Sequence, residues 1–148
     1  MRTISKLLIA SAIALATFAS PTAGAKADSQ EVLCLAKNIY FESRGESLAG
    51  KLAVAKVTLN RTKHEDFPGT VCKVVYQPGQ FSWTAKRHHT ITDYKAWQES
   101  LEIARDALAT GLTELHGFSA VYFHSGRKPH GWSGHLVAKI GKHRFYTA

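Results

Sequence analysis

The apolar pattern of this 148-residue chain changes period once, near residue 118. Upstream, apolar residues recur at helical spacing; downstream, they alternate. Val32, Leu35, Ala36 and Ile39 form one stripe of an expected helix over residues 30–43, with Ser29 placed to cap it and Gly45 to stop it. A second helix is expected over 47–63, burying Leu48, Leu52, Ala55, Val57 and Leu59, its alanines allowing close packing against the first. Phe67-Pro68-Gly69 reads as a turn, and Thr70 opens a short helix carrying Cys72, Val74 and Val75. After a loop over 77–93, Asp93 caps a third long helix, 94–109, with Trp97, Leu101, Ala104 and Leu108 inward and Gly111 at its end. Then the period falls to two. Residues 119–124 alternate as a strand, and 137–140 with 143–146 read as a hairpin turning at Gly141-Lys142. The sum is an α+β chain, a mainly helical lobe with a small antiparallel sheet near the C-terminus.

The first 27 residues have the character of an export signal. Arg2 and Lys6 form a basic start, residues 7–19 are apolar, and Ala25-Lys26-Ala27 satisfies the small-x-small rule for cleavage after Ala27. That apolar run is shorter than the roughly 20 residues a bilayer span needs, and no later stretch is longer. No stable membrane span is therefore expected once the signal is removed. Residues 28–148 make one domain, expected to be monomeric and to work in the periplasm, the envelope or outside the cell. They carry 16 basic and 11 acidic residues, a net charge of +5. A basic exported protein suits polyanionic envelope polymers; no recognition helix or stacking motif points to nucleic acid. Cys34 and Cys72 are the only cysteines. An even count in an oxidising compartment reads as one disulfide, with two free thiols or metal ligation as the alternatives.

Chemistry concentrates in Asn38-Ile-Tyr-Phe-Glu-Ser-Arg-Gly-Glu46. Glycosidic cleavage needs a protonated carboxyl to donate to the leaving oxygen. A carboxyl against an apolar wall keeps its proton to higher pH, because desolvation disfavours the charged form. Glu42, beside Tyr40 and Phe41, fits that role. Glu46 would share its helical face if the helix continued through Gly45; it is a possible second carboxylate, or a partner for Arg44 or the next helix start. Gln80-Phe-Ser-Trp-Thr84 offers Phe81 and Trp83 as sugar platforms and Gln80 as a two-way hydrogen-bonding group, with Phe81 the one expected to pack inward. Tyr122 and His124 are expected on one face of the first strand, directed at the same cleft. Asn60 and Arg61, at the end of the second helix, read as structural.

These blocks together, the Glu42–Glu46 segment, Val-Ala-Lys-Val-Thr-Leu-Asn-Arg over 54–61 and the Gln80–Thr84 segment, resemble the SleB-type cell wall hydrolases. That family comprises spore cortex-lytic enzymes and relatives in other bacteria and phages. The likeness extends from about Glu31 to Tyr146. It implies a lysozyme-like plan, peptidoglycan glycan strands as substrate, no cofactor, and the first glutamate of the motif, Glu42, as catalytic acid. It further implies cleavage between N-acetylmuramic acid and N-acetylglucosamine in the manner of a lytic transglycosylase, where the muramyl C6 hydroxyl attacks and one residue serves as acid and then base. Two other classes compete. His124, His130 and His135, with His88 and His89, raise a zinc-dependent amidase or peptidase, although no HExxH or comparable ligand spacing is present. A non-catalytic, basic envelope-binding protein is the third.

Overall fold

A computed structural model describes residues 23–86, 88–128 and 130–148. The basic start and apolar run of the expected leader lie outside these residues. Four α-helices, two 3-10 turns and three strands follow in order: α1 (Ala23–Ser43), α2 (Leu48–Arg61), α3 (Val71–Val75), the turn Ser82–Ala85, α4 (Tyr94–Thr110), the turn Thr113–Leu115, then β1 (Tyr122–Ser125), β2 (Leu136–Ile140) and β3 (His143–Tyr146). The described fold is thus helical first and antiparallel last, as the change of period predicts.

Local chemistry sets most boundaries. Ser47, Thr70 and Asp93 each cap a helix, their side chains accepting from the backbone N–H of Gly50, Lys73 and Ala96. Gly111 closes α4 in the left-handed conformation. The α1 boundaries differ from expectation. The helix begins at Ala23, seven residues before Gln30, so Ser29 lies inside it; Ala23, Ala25 and Ala27 are strong helix formers that carry it upstream. Gly45 is not a left-handed cap either, because its φ is not positive. The chain leaves the helix through turn bonds from Arg44 N to Tyr40 O and from Glu46 N to Ser43 O. Leu48, expected inward, is 56% exposed at the first position of α2.

α1 is the central element, packed against α2, α3 and α4. Leu35, Ile39, Ala55, Val75, Ala104 and Ala107 are buried between these helices. The small side chains let the helix backbones approach, which long residues there would prevent. A disulfide joins Cys34 on α1 to Cys72 on α3, 38 residues apart; closing a loop of that length stabilises the fold by about 4 kcal/mol on the chain-entropy account. Glu31 strengthens the same junction by accepting from Val71 N at 2.6 Å, at the start of α3.

The sheet is ordered β1-β3-β2, antiparallel throughout, with Phe123 opposite Phe145 and Lys139 opposite Arg144. Its inner face lies on α2, where Ala53, Val54 and Val57 meet Ala120 and Phe145. Phe123 contacts both this cluster and the helical core. The last turn of α2 fixes the approach to β1: Asn60 Nδ2 donates to Phe118 O and Ala120 O, and Arg61 Nε donates to Val121 O at 2.7 Å. Glu42 at the end of α1 and the strand residues around Phe123 are thereby held on opposite sides of one opening.

Candidate active site

That opening is a cleft of about 340 Å³. Glu42 comes from the last turn of α1, Arg61 from the end of α2, and Gln80, Phe81 and Ser82 from the loop before α4. The far wall is Phe123, His124 and Ser125 of β1 with His143 of β3. The two segments most distant in sequence thus meet around one carboxyl.

Glu42 is half-buried, and no hydrogen bond reaches its carboxyl among the described residues. Burial pushes its pKa from 4.5 up to about 7, and the positive charge of Arg61 offsets only part of that. The balance follows from distance: Arg61 is near enough to act through space but forms no ion pair with Glu42 within 4.0 Å. A carboxyl in this position retains a proton near neutrality and has no internal acceptor for it.

Arg61 is 4% exposed. Its guanidinium lies over the rings of Phe67, Phe81 and Tyr122 at 4.9, 5.1 and 5.7 Å. Burial lowers its pKa to about 10, so it stays cationic at physiological pH. Four buried side-chain polar atoms lack a hydrogen-bond partner among the described residues, and three of them lie in this cleft: Arg61 Nη1, His124 Nδ1 and His143 Nδ1. Such atoms are rare in packed interiors, and all three belong to residues of the cleft wall. Burial also lowers the pKa of His143, with the charge of Glu46 acting in the opposite sense. His124 stacks on Tyr146 and shares a 3.2 Å hydrogen bond between its Nε2 and the Tyr146 hydroxyl.

The expected site residues divide. Glu42, Gln80, Phe81 and His124 do line the cleft, and Phe81, expected to pack inward, is buried at 4% exposure in the helical core. Tyr40 does not. It has no exposed surface, and its hydroxyl accepts from Thr92 N, Asp93 N and Arg44 Nη1, which ties α1 to the start of α4. Trp83 is only 8% exposed. It stacks on Phe41 at 4.8 Å, and its indole N–H donates to Asn38 Oδ1 at 3.1 Å, while Asn38 Nδ2 donates to Thr58 Oγ1. This buried relay makes Trp83 a strut between α1, α2 and the loop. Tyr122 faces a neighbouring depression on the other side of Arg61, with Trp132 and Asp66. Glu46 is not in the cleft wall but shares an adjoining shallow depression with Glu42 and His143, its Oε2 accepting from Lys142 N at the β2–β3 turn. Among the described residues, no group of three or more His, Cys, Asp or Glu side chains is placed to hold a metal ion.

Sequence reasoning did not place Arg61, Phe123 and His143 in the cleft wall, although its structural reading of Arg61 agrees with the bond to Val121 O. A terminal arginine on an otherwise apolar helix face was the available signal for Arg61. Phe123 and His143 carry none, because only the β1–β3 register brings them beside Glu42.

The Cell Wall Hydrolase family profile matches residues 45–146, beginning three residues after Glu42. The chain is 31% identical over 119 residues to a spore cortex-lytic enzyme of Oceanobacillus iheyensis, covering 78% of this chain and 41% of that protein. It is 30% identical over 122 residues to the spore cortex-lytic enzyme of Bacillus subtilis, covering 78% and 37%. The aligned region thus spans about two fifths of these relatives' length. Among solved structures, the fold is similar to the catalytic domain of the Bacillus cereus SleB protein, at TM-score 0.58 and 30% identity over 80% of this chain and 91% of that one. It is likewise similar to the catalytic domain of the germination-specific lytic transglycosylase SleB of Bacillus anthracis, at TM-score 0.60 and 28% identity over 79% and 93%. Profile, relatives and fold agree, and this chain belongs to the Cell Wall Hydrolase family.

Proposed function

We propose that the chain is an exported peptidoglycan hydrolase that cuts the glycan backbone between N-acetylmuramic acid and N-acetylglucosamine, with Glu42 as general acid and then base. The observation that carries this reading is the Glu42 carboxyl itself: half-buried, without a hydrogen bond, and held protonated to about pH 7 at the wall of a polar cleft. An acid with a pKa near working pH is the most effective proton donor.

The proposed reaction is a lytic transglycosylation. Glu42 gives its proton to the glycosidic oxygen as the muramyl C1–O bond breaks, freeing the C4 hydroxyl of the leaving N-acetylglucosamine. The muramyl C6 hydroxyl attacks C1, its proton passes to the Glu42 carboxylate, and a 1,6-anhydro sugar forms. No water is consumed. Arg61 stabilises the carboxylate during the interval when Glu42 is charged. Among the described residues lining the cleft Glu42 is the one carboxylate; Glu46 lies in the adjoining depression, where its Oε2 accepts from Lys142 N of the β2–β3 turn. A single acid favours the anhydro route over one that needs a second carboxylate as base or nucleophile. The similar SleB domain of B. anthracis belongs to a lytic transglycosylase, which is the same reaction type. Residues 1–27 direct export under this reading, and residues 28–148 meet the cell wall.

Mass spectrometry of muropeptides released from purified peptidoglycan tests the proposal. Anhydro-muramyl ends are expected. Reducing muramyl ends would leave the glycosidase reading and remove the transglycosylase one, whereas freed stem peptides lost on adding EDTA would replace both with a zinc amidase.

A further inference from the structure

Beside the Glu42 cleft lies a second cavity of about 390 Å³ with different chemistry. Its apolar side is the stacked pair Phe41 and Trp83, with His89 against both rings at 5.2 and 5.1 Å and Tyr76, 46% exposed, at its edge. Its polar side is Lys37 of α1 with Lys86 and His88 of the loop, and no acidic residue lines it. No ion pair involves either lysine among the described residues. Phe41 lines both this cavity and the shallow depression that holds Glu42 and Glu46, and is the residue through which the two adjoin.

We propose that this cavity takes the stem peptide of the peptidoglycan strand bound in the Glu42 cleft, through the peptide's free carboxylates. The inference rests on the glycan-cleaving reading above. Stem peptides hang from the muramyl lactyl group, on the same sugar whose C1 bond is cut, so an adjoining pocket is where such a peptide begins. Its chemistry matches the lining: short apolar and amide segments for the Phe41–Trp83 surface, carboxylates for Lys37 and Lys86. The proposal makes peptide-substituted glycan the preferred substrate over bare glycan.

The test compares two substrates with the full chain: glycan strands carrying uncrosslinked stem peptides, and the same strands stripped by an N-acetylmuramoyl-L-alanine amidase. The wild type is expected to show a lower KM on peptide-bearing strands. Lys37→Gln/Lys86→Gln should raise that KM roughly three- to tenfold, the range expected of two partly exposed charge contacts, with kcat unchanged and stripped strands unaffected. Raising salt should shrink the difference. Lys86→Gln alone, in an exposed loop position, gives the same direction of effect if the double variant folds poorly. Equal effects on both substrates, or none on either, overturn the inference. Failure of the wild type to cut glycan in both substrates instead overturns the parent reading.

Discussion

Glu42 and Glu46 stand four residues apart and meet opposite surroundings. Glu42 ends α1 facing Arg61, Phe81 and Phe123 across a partly dry cleft, and its pKa rises to about 7. Glu46 lies beyond the helix, where Oε2 accepts from Lys142 N at 3.2 Å. Its side chain also packs where Gly50 and Gly141 lack side chains. A Cβ at Gly50 would come within 2.9 Å of Glu46 Cβ, and one at Gly141 would collide with Glu46 Oε2. One carboxylate is deprived of donors and the other is seated against a backbone N–H. Identical chemistry at neighbouring positions thus yields a desolvated carboxyl of raised pKa in one place and a carboxylate bonded to the backbone in the other, and the surroundings decide.

The largest expected effect tests the first half of that contrast. Glu42→Gln is nearly isosteric but has no acidic proton, so glycan cleavage should drop by about 10² to 10⁴-fold, with melting temperature unchanged or raised. Turnover near the wild-type rate by a folded variant would move the acid elsewhere.

Next is the strut behind Glu42. Trp83→Ala removes a buried stack on Phe41 and the bond to Asn38, and should cost about 3–5 kcal/mol in unfolding experiments. Sugar-platform behaviour, with normal stability and weakened glycan binding, would mean that Trp83 opens to the cleft and that the end of α1 is held by other contacts.

The Gln80–Thr84 segment also shows where sequence ceases to inform. Helix period, the Ser47, Thr70 and Asp93 caps and the Gly141-Lys142 turn are local, and each is written in consecutive residues. Glu42 is legible for the same reason, from its aromatic neighbours and its motif. Which member of Gln80–Thr84 lines the cleft is not local. It depends on the Asn38–Trp83 bond, formed between positions 45 residues apart. Arg61 reads as structural from sequence, and its Nε bond to Val121 O supports that; that it also lines the cleft depends on Phe118 to Val121 being drawn onto α2. The α1 start departs from expectation for a different reason: alanine propensity extends a helix past a good cap residue.

The pH dependence of stability tests the surroundings of Glu42 without regard to catalysis. The ordinary pKa of Glu42 is 4.5 and its folded value is about 7, so the folded state holds its proton more tightly than the unfolded chain. The stabilisation is complete below pH 4.5 and is lost as pH rises through 7. Glu42→Gln should therefore gain on the wild type above pH 7, by up to about 3 kcal/mol, and the two should converge in acid. Activity should fall over the same rise through pH 7. Parallel stability curves for the two proteins from about pH 4 to 8 would show that the carboxyl is not desolvated.

The smallest expected effect falls on Glu46. Glu46→Ala removes one exposed acceptor from Lys142 N and leaves the β2–β3 turn otherwise intact, because Gly141 keeps its left-handed conformation at φ 56°. One such hydrogen bond contributes about 1 kcal/mol, so a modest fall in melting temperature is expected. His143, next to Lys142, lines the Glu42 cleft; loosening the turn should therefore reach the active-site wall weakly, as a change of less than about tenfold in rate. The informative comparison is the ratio of losses between Glu46→Ala and Glu42→Gln. A loss at Glu46 as deep as that at Glu42, in a folded protein, would give it a chemical role and turn the one-acid reaction into a two-carboxylate one. A loss confined to stability would leave Glu46 as the staple that places His143 and the strand wall opposite the acid.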